Sequence, residues 1–216
     1  MFSFVYGIPD KAILAECHKH NIITIGTAIT VDEAALLDEA DVDMIVATGF
    51  EAGGHRVAFL RSPEDSLVGT FALIPQVVDT VRAPVIAAGG ISDARGVAAA
   101  FALGASAVQV GTAFLACQES NAPTLHREAL FSPSARYTAL TRIFTGRLAR
   151  GIKNTIMDEI KDYAPYPAQS WFMGQLKQAA IAKNRSDLMS LWAGQAASLI
   201  HHRKAADVVK ELASVL

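Results

Sequence analysis

The stretch Ala47-Thr48-Gly49-Phe50-Glu51-Ala52-Gly53-Gly54-His55 turns an apolar strand into a glycine-rich loop that ends on a histidine. Ahead of it, Val42, Met44, Ile45 and Val46 run with little polar alternation. That pattern suits a strand covered on both faces, as in a parallel sheet flanked by helices. Glycines in the loop allow a tight turn and let a ligand approach the backbone closely. Two later stretches share the design: Ala87-Ala88-Gly89-Gly90-Ile91-Ser92-Asp93 and Gln109-Val110-Gly111-Thr112. Three such loops, each closing an apolar strand, predict a single ligand face.

Outward from this loop, strands and helices alternate. The pattern predicts strands over 2–6, 22–25, 42–47, 84–88 and 106–110, and helices over 9–20, 31–40, 73–81 and 93–103. Thr30, with Glu33 three residues on, has the spacing of a capping box at a helix start. Such alternation implies a parallel sheet, either an open doubly wound sheet or a (β/α)8 barrel. Gly89 and Gly90 lie between a strand and a helix whose first turn holds Ser92 and Asp93, so backbone N–H groups and the helix dipole face a phosphate there. Gly111 and Thr112 repeat that arrangement one strand later.

A phosphate held by two consecutive βα loops is the habit of (β/α)8 barrels after strands 7 and 8, and no Gly-x-Gly-x-x-Gly follows any strand. Counted back from that placement, the strands are 4 to 8. The expectation is an α/β fold of (β/α)8 TIM-barrel type, incomplete, with strands 4–8 present and strands 1–3 missing. Residues 1–117 would form the partial barrel, and residues 118–216 a helical region packed on it. A barrel of this type typically takes about 250 residues; open edges in a shorter one favour self-association, and so a possible homo-oligomer.

Composition narrows the function classes. The chain has 216 residues, 51% hydrophobic, with a formal net charge of −2, which gives no reason to expect a nucleic-acid surface. Arg142, Arg147, Arg150 and Lys153 form one basic cluster, and His201, His202, Arg203 and Lys204 another; both read as solvated faces. Cys17 and Cys117 stand far apart in unlike contexts, so neither a disulfide framework nor a metal site is indicated. They fit buried thiols in a reducing, cytoplasmic compartment. The first residues show no basic n-region and too short an apolar run, so no signal peptide is expected in them. The uncharged run 96–117 is long enough to cross a bilayer, but Gly104, Ser106 and Gln109 break it into a helix and a strand, so no membrane span is expected.

Glu51-Ala-Gly-Gly-His55, Ala87-Ala-Gly-Gly-Ile91 and Gln109-Val-Gly-Thr112, in this order, resemble the nitronate monooxygenase family, formerly called 2-nitropropane dioxygenases. Gly26-Thr27-Ala28, Thr145-Gly-Arg-Leu-Ala-Arg150 and Trp192-Ala-Gly-Gln195 extend the likeness along nearly the whole chain. The resemblance implies an FMN-dependent barrel that oxidises alkyl nitronates or nitroalkanes with O2 to a carbonyl compound and nitrite. It places the catalytic base on His55. It places cofactor contacts on Ala28, Thr48, Gly53, Gly54, Gly89, Gly90, Gln109, Gly111 and Thr112, with Ala28 near the isoalloxazine ring. Thr48 stands where the family usually has a glutamine, and Val57 where it usually has a glycine. An FMN-dependent enoyl-acyl-carrier-protein reductase shares the glycine–histidine loop and is the alternative; an inactive remnant is a third reading. His18, His20 and His126 read as structural or solvent-facing, and Glu51 as a loop-ordering residue. Trp192 and Gln195 either close the ligand face or pack the tail.

Overall fold

In the computed structural model, residues 1–215 are described. They divide into two compact units: Met1–Phe50, Val57–Ile91 and Arg95–Gln109 form the first, and Glu51–Arg56, Ser92–Ala94 and Val110–Leu216 the second. The expected division at residue 117 therefore falls earlier, after Gln109, and the loop carrying His55 belongs with the C-terminal part. The physical reason is backbone pairing of that loop with a strand nearly a hundred residues later, described below.

The first unit is built on strands β1 (Phe2–Phe4), β2 (Thr24–Ala28) and β3 (Met44–Thr48). Helices α1 (Lys11–Lys19) and α2 (Val31–Glu39) connect them. A two-residue strand, β4 (Gly54–His55), follows but pairs elsewhere. Then come α3 (Thr70–Thr80), β5 (Val85–Ala88), α4 (Ala94–Ala102) and β6 (Ala107–Gln109). All five sheet strands are parallel, in the order β1-β2-β3-β5-β6. Sheet order thus follows chain order with no reversal, and right-handed crossovers then place every helix on one face. Ile45, Val46 and Ala47 are all buried, so β3 is covered on both faces, as its unbroken apolar run requires. Ala34, Leu37, Leu73, Ile74, Val77, Val97 and Ala100 supply the buried faces of α2, α3 and α4.

Helix ends explain where the strands start. Asn21 (φ 53°) and Asp41 (φ 61°) take the left-handed conformation just after α1 and α2. The following N–H groups turn back, Ile22 N to Cys17 O at 2.8 Å and Val42 N to Leu37 O at 3.3 Å. Gly104 closes α4 the same way, with Ala105 N on Ala100 O at 3.1 Å. This is the Schellman stop, which asparagine and aspartate tolerate though glycine is commoner. It moves the second strand from the expected 22–25 to Thr24–Ala28, because Ile22 and Ile23 belong to the turn and stay exposed.

The start of α2 corrects a second expectation. Thr30 caps it, its Oγ1 accepting from Glu33 N at 3.2 Å. Glu33, however, does not reach back to the cap. Fully buried, its carboxylate accepts from Ile29 N (2.8 Å), Phe59 N (2.8 Å) and Leu60 N (3.3 Å), tying the helix to the chain that follows the histidine loop. A buried carboxylate is tolerable when several donors satisfy it.

The second unit was expected to be helical, and it is not wholly so. Alongside α5 (Thr112–Leu115), α6 (Thr124–Leu130), α7 (Thr155–Glu159), α8 (Ala168–Ala182) and α9 (Ala205–Leu212) it carries β7 (Thr138–Thr141) and β8 (Ala149–Ile152). These pair antiparallel, and β4 joins on the other side of β8 with Gly54 opposite Arg150 and His55 opposite Ala149. Strands of four and two residues are too short for alternation to announce them. The basic cluster at 142–153 is likewise mostly not a solvated face. Arg150 is 4% exposed inside β8, and its guanidinium donates to Thr138 Oγ1 at 3.2 Å. The uncharged run 96–117 is split between α4, β6 and α5, and among the described residues no helix is long and apolar enough to cross a membrane. Cys17 and Cys117 are both buried and unbridged.

Candidate active site

The site grows from β4. Pairing with β8 fixes the backbone on either side of His55, and Arg56 N extends the ladder to Leu148 O at 2.8 Å. Gly53, one step before, lies against residues 193–194: a Cβ there would come within 2.7 Å of Ala193 C and Gly194 N, so only glycine permits this approach. Two further bonds hold the same segment, Gln195 N to Glu51 O at 2.9 Å and Gly194 N to Thr112 Oγ1 at 3.1 Å. Glu51, Gly53 and Thr112, distant in sequence, thus converge on Ala193–Gln195. The Glu51 backbone carbonyl is one of the acceptors that hold this segment.

His55 is half-buried. Its Nε2 lies 2.9 Å from Thr145 Oγ1, in the turn between β7 and β8. That hydroxyl oxygen also accepts from Arg147 N at 3.2 Å, and its single hydrogen points either to Arg147 O (3.2 Å) or to His55 Nε2. The direction of one hydroxyl therefore sets which imidazole nitrogen carries the proton and which offers a lone pair. The ring packs at 5.5 Å from the Trp192 ring, and Trp192 meets Phe144 edge-on at 5.6 Å. Trp192 is itself held by its backbone: its carbonyl accepts from His126 Nε2 at 2.9 Å, and it bridges to Gly151. Burial lowers the His55 pKa from its ordinary 6.5, and the Arg147 charge lowers it further. Its imidazole is therefore neutral at pH 7 and able to accept a proton.

Trp192 lies beside His55 and also packs against the apolar cluster of Ile143, Phe144 and Ile156. Gln195 is exposed and contributes its backbone N–H. His126 is a buried structural histidine and His20 an exposed one, paired with Glu16 at 2.8 Å. Thr145, Arg147 and Phe144 are the residues that sequence reasoning did not assign. Thr145 and Arg147 sit in a quoted motif, and a hydroxyl beside Gly146 in a chain reversal was the available signal.

In the first unit, the remaining expected residues gather at one end of the parallel sheet. Ala28 ends β2, Thr48 ends β3 and Gln109 ends β6. The register sets Ala28 beside Ala47, and Thr48 and Gln109 on either side of Ala88. Gly89 (φ 95°) and Gly90 (φ 72°) follow directly, and Thr70 Oγ1 donates to Gly89 O at 3.0 Å, holding that turn. Consecutive left-handed glycines after a strand present backbone N–H groups to an anion, and Gly90 is exposed. In the second unit, a Cβ at Gly54 or Gly111 would meet nothing within 4 Å. The glycine turn after β5 fits the phosphate of a cofactor.

The nitronate monooxygenase family model matches residues 1–214. A probable nitronate monooxygenase of Bacillus subtilis is 46% identical over 197 residues, which cover 89% of this chain and 57% of the relative. Among solved structures, a nitroalkane oxidase from Streptomyces ansochromogenes superposes with a TM-score of 0.92 at 40% identity, covering 99% of this chain and 64% of that one. FabK from Thermotoga maritima gives 0.78 at 30%, covering 98% and 66%. This chain thus spans less than two thirds of the length of each of these proteins. With the match running from the first strand to the last helix, this chain belongs to the nitronate monooxygenase family.

Proposed function

We propose that this protein oxidises alkyl nitronates, and the nitroalkanes from which they form, with O2 to a carbonyl compound and nitrite, using FMN. The observation that carries this reading is His55: a half-buried imidazole kept neutral by burial and by Arg147, with one ring nitrogen fixed by Thr145. Cofactor contacts are assigned to Ala28, Thr48, Gly89, Gly90 and Gln109 in the first unit, with Gly89 and Gly90 on the phosphate. In the second unit they are assigned to Gly53, Gly54, Gly111 and Thr112. FMN, when bound, supplies the redox chemistry that couples the organic substrate to O2. The strict chain order of the sheet further supports reading its five strands as strands 4–8 of a (β/α)8 barrel. A doubly wound sheet reverses order at a switch point, and this one does not.

The chain's own residues account for the proton step. A neutral nitroalkane must lose its α-proton before it can be oxidised. His55 accepts that proton; Thr145 holds the ring so that the lone pair faces one way; Trp192 covers one side of it against water. The positive charge of Arg147, which disfavours the imidazolium, favours the nitronate anion that deprotonation creates. A nitronate supplied ready-made needs no base. Replacing His55 with Asn is therefore expected to depress nitroalkane turnover by about 10²–10⁴-fold, and turnover of the preformed nitronate far less, with FMN retention unchanged. Oxygen uptake on both substrates measures this. Equal losses on the two would make His55 an orienting group and remove it as the base. The nitroalkane oxidase neighbour favours this reading over an enoyl thioester reductase, which steady NAD(P)H consumption with an enoyl thioester would instead reveal.

A further inference from the structure

The last helix holds a group of side chains with no part in the chemistry above. Glu211, near the end of α9, presents one carboxylate oxygen to two consecutive imidazoles. Its Oε2 lies 3.4 Å from His201 Nε2 and 3.1 Å from His202 Nε2. All three ligand atoms lie within 4.8 Å of one another, and among the described residues no other three histidine, cysteine or acidic side chains meet that spacing.

We propose that His201, His202 and Glu211 form a binding site for a divalent transition metal, with Zn2+ as the ion that fits best. At Zn–N and Zn–O distances of about 2.0–2.1 Å, the edges of a tetrahedron measure about 3.3 Å. Both nitrogen-to-oxygen separations match that edge. Ring chemistry is compatible with a metal ion. His201 Nδ1 lies 3.1 Å from the Leu199 carbonyl, which can only accept, so Nδ1 carries the hydrogen and a neutral ring keeps its lone pair on Nε2. A lone pair there faces a carboxylate oxygen, and the two are joined either by a proton on Nε2 or by a metal ion bound to both. A backbone carbonyl that fixes the outer nitrogen of a ligating histidine is also the usual second support of such a ligand.

The surroundings leave room for the ion. Arg203, next in the chain, directs its guanidinium over the Phe131 ring at 3.9 Å instead of onto Glu211. The other histidine–glutamate pair on a helix differs: Glu16 is shared between His20 and Lys19 Nζ at 3.3 Å, so an ammonium already occupies the place a metal would take. Two imidazoles and a carboxylate suit Zn2+. His201 is 59% exposed, so solvent completes the coordination, and the ion would clip residues 199–202 to α9.

Calorimetric titration of the full chain, free of any histidine tag, with Zn2+ alone tests the proposal. The expected result is one Zn2+ per chain. His202→Ala and Glu211→Gln should each weaken binding by more than tenfold, and His20→Ala should leave it unchanged. Zn2+ should also raise the Tm of the parent chain and of His20→Ala but not of the other two. Glu211→Gln keeps the volume of the side chain, so it stands in should His202→Ala fold poorly. Absence of stoichiometric binding, or equal affinity in all variants, would show an ion pair only and overturn the proposal.

Discussion

At the scale of single residues, the candidate chemistry depends on the Thr145 hydroxyl, whose orientation decides the protonation pattern of His55. Thr145→Val keeps the shape and removes the hydrogen bond, and nitroalkane turnover is expected to fall by about ten- to a hundredfold, the order lost when a base is misaligned. Thr145→Ser should recover most of it, which a packing role for the methyl group would not explain. A pH profile gives an independent check. Because burial first and Arg147 second favour the neutral ring, the acid limb of nitroalkane kcat/KM should fall below pH 6.5, activity being lost as pH drops through the depressed pKa. Arg147→Gln removes only the smaller cause. It should move that limb upward, towards the ordinary value without reaching it.

At the scale of elements, Glu33 does more than a cap position suggests. Its carboxylate joins the start of α2 to residues 59 and 60, on the far side of the histidine loop. Glu33→Gln offers one acceptor oxygen where two served, and turns an NH2 group towards backbone donors. The expected loss is about 1–3 kcal/mol, the cost of leaving buried donors unsatisfied. Urea unfolding should show it as a lower midpoint with an unchanged slope. The same carboxylate shows the limit of reading motifs by spacing. Thr30 and Glu33 have the spacing of a capping box, and Thr30 does cap, but Glu33 reaches one residue past the cap to Ile29 N and gives its other oxygen to partners distant in sequence.

At the scale of the whole molecule, the parallel sheet ends on β1 and β6, each paired on one side only within its unit. Unpaired parallel edges are templates for association. This chain is expected to self-associate in solution, and light scattering should give a mass above that of the 23.0 kDa monomer. A monodisperse monomer that unfolds in one sharp transition would count against the edges being available, and against the barrel-arc reading that implies they are.

Alternation of apolar runs with glycine punctuation determined the parallel sheet, its chain-order topology and the placing of Thr48, Gly89, Gly90 and Gln109 at its carboxyl end. Each of those follows from local periodicity and turn chemistry, which a sequence states directly. The helix stops at Asn21 and Asp41 leave a weaker local mark than the one at Gly104, since asparagine and aspartate enter the left-handed region less freely than glycine. The partners of His55 were not legible at all. Thr145, Trp192 and His126 reach it, or hold what reaches it, through β4 pairing with β8 and through Gly53 lying against Ala193. Short antiparallel strands carry too few residues to show a period, and a contact across ninety residues of chain leaves no local mark. Tertiary structure alone decided what surrounds the histidine, and with it the basicity of the ring, because both burial and the nearby Arg147 charge depend on where distant segments pack.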